Sequence, residues 1–395
     1  MTAIELARHY SRFRVSERIL LTGHSHQAWP DVAFEAQQRA WLDAAEFVDD
    51  KWDRAGVVAD RVRAGWRRLL NDPHGDIVLG QNTHELVVRL LSAVLVPGAR
   101  RRALVTTTGE FHSLRRQLDR LAEAGVEVRK VAAHPVDTLA ERVASQVDDR
   151  VGCVLLSSVL FETSEIVPDI AHVAETCERE GTALLIDAYH HLNVVPFDLE
   201  SLALTRAFVV GGGYKYCQLG EGNCFLRLPA DCELRPVITG WFSEFATLAD
   251  TKTAGEVRYG IGAARFAGAT YDPTSHYRAA AVFDFHEQMG LTPAMLRRVS
   301  MHQTAAIADG LRALDLDPAR AQLLPVDAER RAGFVVIDTP RAAAIVCELR
   351  AREMFVDARG RHLRVGPAPY ITDPQLEAAV TLLHEALRRE VNPKV

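Results

Sequence analysis

Long apolar runs, paired cysteines and a surplus of basic charge are all missing from this sequence. The best candidate for a membrane span, Leu86 to Val96, is short and carries Arg89 in its middle, whereas a spanning helix needs about 20 predominantly apolar residues. No membrane partner is expected. Lys and Arg number 46 against 52 Asp and Glu, a formal charge of −6, so the cationic surface that tracks a phosphate backbone is absent and no nucleic-acid partner is expected. The six cysteines, at 153, 177, 217, 224, 232 and 347, include no Cys-x-x-Cys pair and are too sparse for a disulfide framework, which points to reduced thiols. The first twenty residues carry Glu5, Arg8, Arg12, Arg14, Glu17 and Arg18 and lack the apolar stretch of a secretory signal, so a cytoplasmic location is expected. Glycine motifs for nucleotides are lacking too. Gly211-Gly-Gly-Tyr-Lys-Tyr216 and Gly260-Ile-Gly-Ala-Ala-Arg265 each miss the last glycine of Gly-x-Gly-x-x-Gly, and no P-loop pattern occurs. His24 and His26 stand two apart with no third ligand nearby in sequence, so no metal site is expected.

What is present is enough apolar sequence for a large core: 395 residues, 48% of them hydrophobic, room for two to three domains of about 150 residues. Between about residues 57 and 237, short apolar runs at 76–79, 102–106, 127–131, 151–159, 183–187 and 208–211 alternate with stretches of helical periodicity at 85–96, 115–123, 138–146 and 170–180. That rhythm predicts an α/β fold, a mostly parallel sheet with helices on both faces. Helical patterns from Ser275 through Gly310, a strand at 333–337, a helix at 341–353, a strand at 362–365 and a last helix from Asp373 predict a smaller α+β domain at the C-terminus. The expected division is an N-terminal segment, 1–56, packing with the small domain, a large domain, 57–274, and the small domain, 275–395.

The chemistry-bearing pair is an acid that ends one strand and a lysine that follows the next. Ala183-Leu-Leu-Ile-Asp187 places a carboxylate where a buried strand stops, and Phe208-Val-Val-Gly-Gly-Gly-Tyr-Lys215 places an ammonium after a glycine turn. Both fall at the carboxyl edge of the sheet, where open α/β folds bind ligands. Taken singly, the Asp is an ordinary turn or cap residue and the Lys an ordinary solvated side chain. Taken together they match what pyridoxal phosphate requires: a lysine amine to hold its aldehyde, and a carboxylate to keep its pyridine nitrogen protonated.

The surrounding motifs carry a family resemblance. Gly213-Tyr-Lys-Tyr-Cys-Gln-Leu-Gly-Glu-Gly222, followed by Pro236-Val-Ile-Thr-Gly-Trp-Phe242, resembles the lysine loop and the Gly-Trp-Phe segment of kynureninase, within the class V aminotransferase group of fold-type I pyridoxal-phosphate enzymes. The resemblance runs along nearly the whole chain and implies the seven-stranded large-domain sheet of that fold type. Asp187-Ala-Tyr-His190 is similar to the family's Asp-x-Ala-His, implying Asp187 at the pyridine nitrogen and His190 near the ring hydroxyl. Gln81-Asn-Thr-His-Glu85 resembles the strand-to-helix turn that takes the cofactor phosphate, implying Asn82 and Thr83, and a helix N-terminus suits that dianion. Glu110-Phe-His-Ser113 implies Phe111 stacked on the pyridine ring. Leu156-Ser-Ser158 implies a hydroxyl from Ser157, and Tyr214 and Trp241 are implied cofactor contacts. Arg265-Phe-Ala-Gly-Ala-Thr270 resembles the segment whose threonine, here Thr270, reaches the phosphate across a dimer interface. His362-Leu-Arg-Val365 implies Arg364 as the contact for a substrate α-carboxylate, a task that suits a bidentate guanidinium. Gly23-His-Ser25 implies His24 and Ser25 near the substrate.

Departures are concentrated on the substrate side. Kynureninases have Phe-Pro-Thr/Ser-Asp where this chain has Phe111-His-Ser-Leu114, and Asn-Tyr-Arg-Thr-Gly where it has Leu160-Phe-Glu-Thr-Ser164. His24 and His26 replace Asn and Leu of the N-terminal loop, and Glu221 replaces the proline of Gly-Pro-Gly. The resemblance therefore implies a homodimeric enzyme that binds pyridoxal phosphate at Lys215 and acts on an amino acid other than kynurenine. Its expected reaction is hydrolytic Cβ–Cγ cleavage releasing alanine, with Lys215 as the base for the α-proton. A class V aminotransferase or a β-eliminating lyase begins with the same steps and remains open. A desulfurase would need a nucleophilic cysteine, and no cysteine here is singled out. A catalytically silent relative that binds a metabolite is the alternative of another kind, against which the intact Lys215 and Asp187 speak.

Overall fold

Three strand-length runs, Val151–Ser157, Phe208–Gly212 and Cys224–Leu228, are buried at every position, the condition of strands covered on both faces. The computed structural model describes residues 2–96, 98–251, 253–314 and 316–389. The chain opens with α1 (Ala3–Ala7), β1 (Ile19–Leu20), α2 (Asp31–Phe47) and α3 (Lys51–Leu69). It continues through β2 (Asp76–Gly80), α4 (Thr83–Val94), β3 (Ala103–Thr107), α5 (His112–Glu123), β4 (Val128–Val131), α6 (Leu139–Ala144), β5 (Val151–Ser157), α7 (Ile170–Glu180), β6 (Ala183–Asp187), β7 (Phe208–Gly212) and β8 (Cys224–Leu228). After α8 (Thr274–Gln288) and α9 (Pro293–Arg312) come β9 (Gln322–Leu323), β10 (Val335–Asp338), α10 (Ala342–Arg350), β11 (Met354–Phe355), β12 (Asp357–Arg359), β13 (His362–Val365) and α11 (Asp373–Arg388).

The large sheet has seven strands in the order β2-β8-β7-β6-β5-β3-β4. From β7 to β4 every pairing is parallel, while β8 runs antiparallel to both neighbours. Six strands therefore point the same way and present their carboxyl ends on one edge. The reversed strand β8 was not among the runs read as strands, and its buried cation is the reason. Arg227, 5% exposed, interrupts the apolar pattern yet is satisfied by Asp72 at 2.7 Å and by the carbonyls of Thr205 and Ala207, as a buried charge must be.

A second, antiparallel sheet, β12-β13-β10-β9, forms the C-terminal α+β unit. Leu6, Tyr10, Val15, Leu21 and Ala28 share its core, and β1 pairs with β11, whereas Ala33 and Ala40 of α2 lie in the core of the large sheet. Helix α8 joins the two cores: Tyr277, Ala279, Ala280 and Phe283 belong to the large one and Phe285 to the small one.

Candidate active site

The strand ends converge on a cavity of about 330 Å³. Strand β6 stops at Asp187, and β7 runs into Gly212-Gly213 and then Lys215. Gly212 is required by close approach, because a Cβ there would lie 2.4 Å from the Tyr189 hydroxyl. Between β2 and α4, Asn82 caps the helix by accepting from the Glu85 amide at 2.9 Å, which orients the first-turn N–H groups toward the same cavity edge. Asn82, Thr83, Phe111, Ser157, Asp187, His190, Tyr214 and Lys215 all line this one space.

Lys215 is 4% exposed. Its Nζ lies 2.6 Å from Nε2 of His190 and 4.7, 5.0 and 5.6 Å from the ring centres of Tyr189, Phe111 and Tyr214. Burial drives its amine down to about 7; Asp187 opposes the shift, and Arg364 and Arg359 reinforce it. A lysine in that state is a usable nucleophile and base at neutral pH. Burial also raises the Asp187 carboxyl, although the Tyr189 amide, 2.9 Å from its Oδ1, and Lys215 favour the anion. His190 is held well below its usual range, chiefly by burial and then by Lys215, so its ring is neutral. Its buried Nδ1 has no partner among the described residues.

The remaining expected residues lie elsewhere. Trp241 and Thr270 line a separate cavity of about 990 Å³, which meets the first only through Gln81. Arg364 is 2% exposed and its fork is already taken: Nε and Nη2 contact Asp357 at 2.8 and 2.5 Å, and Nη1 donates to the Phe161 carbonyl at 2.6 Å. His24 is fully buried, with Nε2 2.8 Å from Asp357 Oδ1. Ser25, partly exposed, is outside the lining of the Lys215 cavity. Of the departures, Leu114 and Glu221 line the cavity, Leu160 is packed in the large core and Glu162 is exposed. His26 reaches Glu221 at 3.6 Å.

Three further residues, which the motifs do not single out, shape the site. Tyr189 contributes a ring beside Lys215, Phe161 packs edge-on against Phe111 with centroids 5.2 Å apart, and Glu110 lies buried behind Ser157. For Tyr189 and Glu110 the signal was adjacency to the assigned residues Asp187 and Phe111; Glu110 also has an unusual burial that no pattern in the chain announces.

The fold and this cavity define the class: a fold-type I architecture of pyridoxal-phosphate enzymes. Within it, the chain is similar to kynureninases. A family model described as the kynureninase C-terminal domain matches residues 296–383. A kynureninase of Bacillus cereus is 24% identical over 341 residues, covering 80% of this chain and 75% of that protein. Among solved structures, a C-DES mutant with glycine covalently linked to its PLP cofactor superposes with a TM-score of 0.82 at 18% identity, covering 96% of this chain and 98% of that one. The cysteine desulfurase CsdA from Escherichia coli gives 0.81 at 15% identity, covering 99% and 100%.

Proposed function

We propose that this protein is a pyridoxal-phosphate-dependent enzyme acting on an amino acid by kynureninase-type hydrolytic Cβ–Cγ cleavage, on a substrate other than kynurenine. The observation that carries the reading is the meeting of Lys215 and Asp187 in one cavity, with a buried amine held near neutral. The residues fit the cofactor. The α4 N-terminus borders the cavity for a phosphate, Phe111 offers a ring, and the unpartnered His190 Nδ1 requires a polar group to enter.

When bound, pyridoxal phosphate supplies an aldehyde for an amine and a ring that draws electrons from the substrate α-carbon. Asn82 and Thr83 would hold its phosphate, Asp187, remaining anionic, would keep the ring nitrogen protonated, and Lys215 Nζ would hold the cofactor and, once displaced by the substrate amine, would be the free base for the α-proton. His190 orients Nζ from 2.6 Å. The aromatic rings of Phe111, Tyr189 and Tyr214 keep water from that amine. Arg364 anchors the substrate carboxylate, which must share or displace Asp357 to do so.

Sulfur chemistry has less support. Cys224 is the cysteine that lines the cavity, and burial pushes its thiol up to about 12, so it is a poor thiolate source. We also propose a homodimer. Val237, Ile238, Trp241, Phe245, Val257 and Ile261 are all exposed, Ile261 at 92%, an apolar surface of the kind that marks an association site. It adjoins the cavity of Trp241 and Thr270.

Reconstitution with pyridoxal phosphate, followed by a product assay over a panel of amino acids, tests the reading. Alanine formation supports hydrolytic cleavage, oxo-acid formation replaces it with amino transfer, and failure to reconstitute overturns the cofactor assignment.

A further inference from the structure

Behind the cavity wall, Glu110 is 2% exposed and fully engaged. Its Oε1 accepts from Thr107 Oγ1 at 2.6 Å and from the Ser157 amide at 3.3 Å, and its Oε2 accepts from Ser157 Oγ at 2.6 Å. Ser157 alone of these partners lines the cavity. We propose that Glu110 is a positioning residue whose protonation state sets the polarity of the Ser157 hydroxyl, turning it from an acceptor into a donor toward the bound ligand.

The hydrogen-bond count dictates the two states. With Glu110 ionised, the Ser157 hydroxyl donates to Oε2, and only its lone pairs face the cavity. When Glu110 takes a proton from solvent, that proton resides on Oε2, because Oε1 already receives two donors. The Thr107 hydroxyl cannot reverse: it is 2% exposed and already accepts from the Gly109 amide at 3.1 Å, so a released proton would have no acceptor. Protonated Oε2 then donates to Ser157 Oγ, and the freed Ser157 proton turns into the cavity. An anionic oxygen entering beside Ser157 meets a donor only in this second state.

The two states lie close together near neutral pH. Burial raises the Glu110 carboxyl to about 7; the hydrogen bonds from Ser157 and Thr107 oppose this, and the charge of Asp187 at the end of β6 adds to it. Among the described residues, Asp187 is the charged group that acts on Glu110 directly, and Lys215 after β7 acts in turn on Asp187.

The ligand part of this inference rests on the proposed cofactor; the titration of Glu110 does not. Carboxyl 13C resonances of glutamate-labelled protein without cofactor should include one with a midpoint near pH 7 that is missing from Glu110→Gln. In Ser157→Ala that midpoint should move upward, since a donor to the anion is lost. For the ligand, 4-deoxypyridoxine 5′-phosphate has no aldehyde and cannot bond to Lys215. Its affinity should weaken about tenfold more between pH 6 and 8.5 in wild type than in Glu110→Gln, whose amide imitates the protonated carboxyl. The proposal is overturned by the absence of a carboxyl titrating between pH 6 and 8, by an unmoved midpoint in Ser157→Ala, or by equal pH dependence of the two proteins. Lack of analogue binding at every pH would overturn the ligand part and the cofactor reading together, while the titration would still decide the state of Glu110.

Discussion

Nζ of Lys215 and Nε2 of His190 lie 2.6 Å apart inside the protein, both pushed toward their neutral forms by burial. A lysine with a folded-state value near 7 against an ordinary 10.5 makes a pH-dependent nucleophile. The rate at which the cofactor-free protein captures pyridoxal phosphate should rise with pH through about 7 and level off above 8. The linked stability runs in the same direction: it is present above 10.5, declines as pH falls below that, and is fully lost once pH has passed through about 7. Stopped-flow absorbance checks the rate, and Lys215→Ala should abolish covalent capture and the visible absorbance of the bound cofactor.

Asp187 supports Lys215 as well as its own proposed ring contact. Its charge raises the lysine value, so Asp187→Asn should shift the midpoint of cofactor capture to lower pH. The same variant should lose turnover, because a ring nitrogen without an anionic partner is a weak electron sink. An unchanged midpoint would remove Asp187 from contact with Lys215.

Asp357 and Arg364 form a largely buried pair, which the proposed substrate carboxylate would have to enter. Burial works to raise the Asp357 carboxyl, but His24 and Arg364 outweigh it and hold the group well below the usual carboxylate range. Asp357→Ala should cost about 3–5 kcal/mol, since it leaves the Arg364 cation buried without its counterion. Added acetate should restore part of that loss by occupying the vacated position. Urea unfolding with and without acetate reads both effects, and Arg364→Lys should weaken all amino-acid substrates alike, as the bidentate fork is lost while the charge remains.

The exposed apolar residues between Val237 and Ile261 should be covered in solution. Sedimentation of the wild type is expected to give a dimer. Ile261→Glu combined with Trp241→Glu should give a folded monomer with weakened cofactor binding, because Trp241, Thr270 and Gln81 share the adjoining cavity. A wild-type monomer with full activity would contradict the shared-site arrangement.

Kynurenine is expected to be a poor substrate, below about 10⁴ M⁻¹s⁻¹ in kcat/KM. Of the departures behind this expectation, Leu114 and Glu221 line the cavity, His26 reaches Glu221 and His24 is held by Asp357, whereas Leu160 is packed in the core and Glu162 is exposed. Loss of a matched polar contact in a closed pocket costs about 1–3 kcal/mol. Steady-state kinetics with kynurenine at ordinary efficiency would remove the specificity claim and leave the cofactor reading standing.

Much of the fold was legible because periodicity is local. The apolar run 183–187 ends at an acid in sequence and in space, and the helix expected over 170–180 is α7 itself. Strand β8 is hidden because its penultimate residue, Arg227, is charged and is made compatible with the interior by Asp72, 155 positions away, and by the Thr205 and Ala207 carbonyls.

The sequence by itself determined the alternating α/β order and the placement of Asp187 at one strand end and of Lys215 just after the next strand, all consequences of residue type and short-range spacing. Only the tertiary structure decided that Arg364 is already held by Asp357, that Trp241 and Thr270 face a different cavity, and that Glu110 is buried behind Ser157. Those facts depend on which distant segments share a low-dielectric space. Burial and partner distance, which no local pattern encodes, determine whether a charge there is paired, shifted or free.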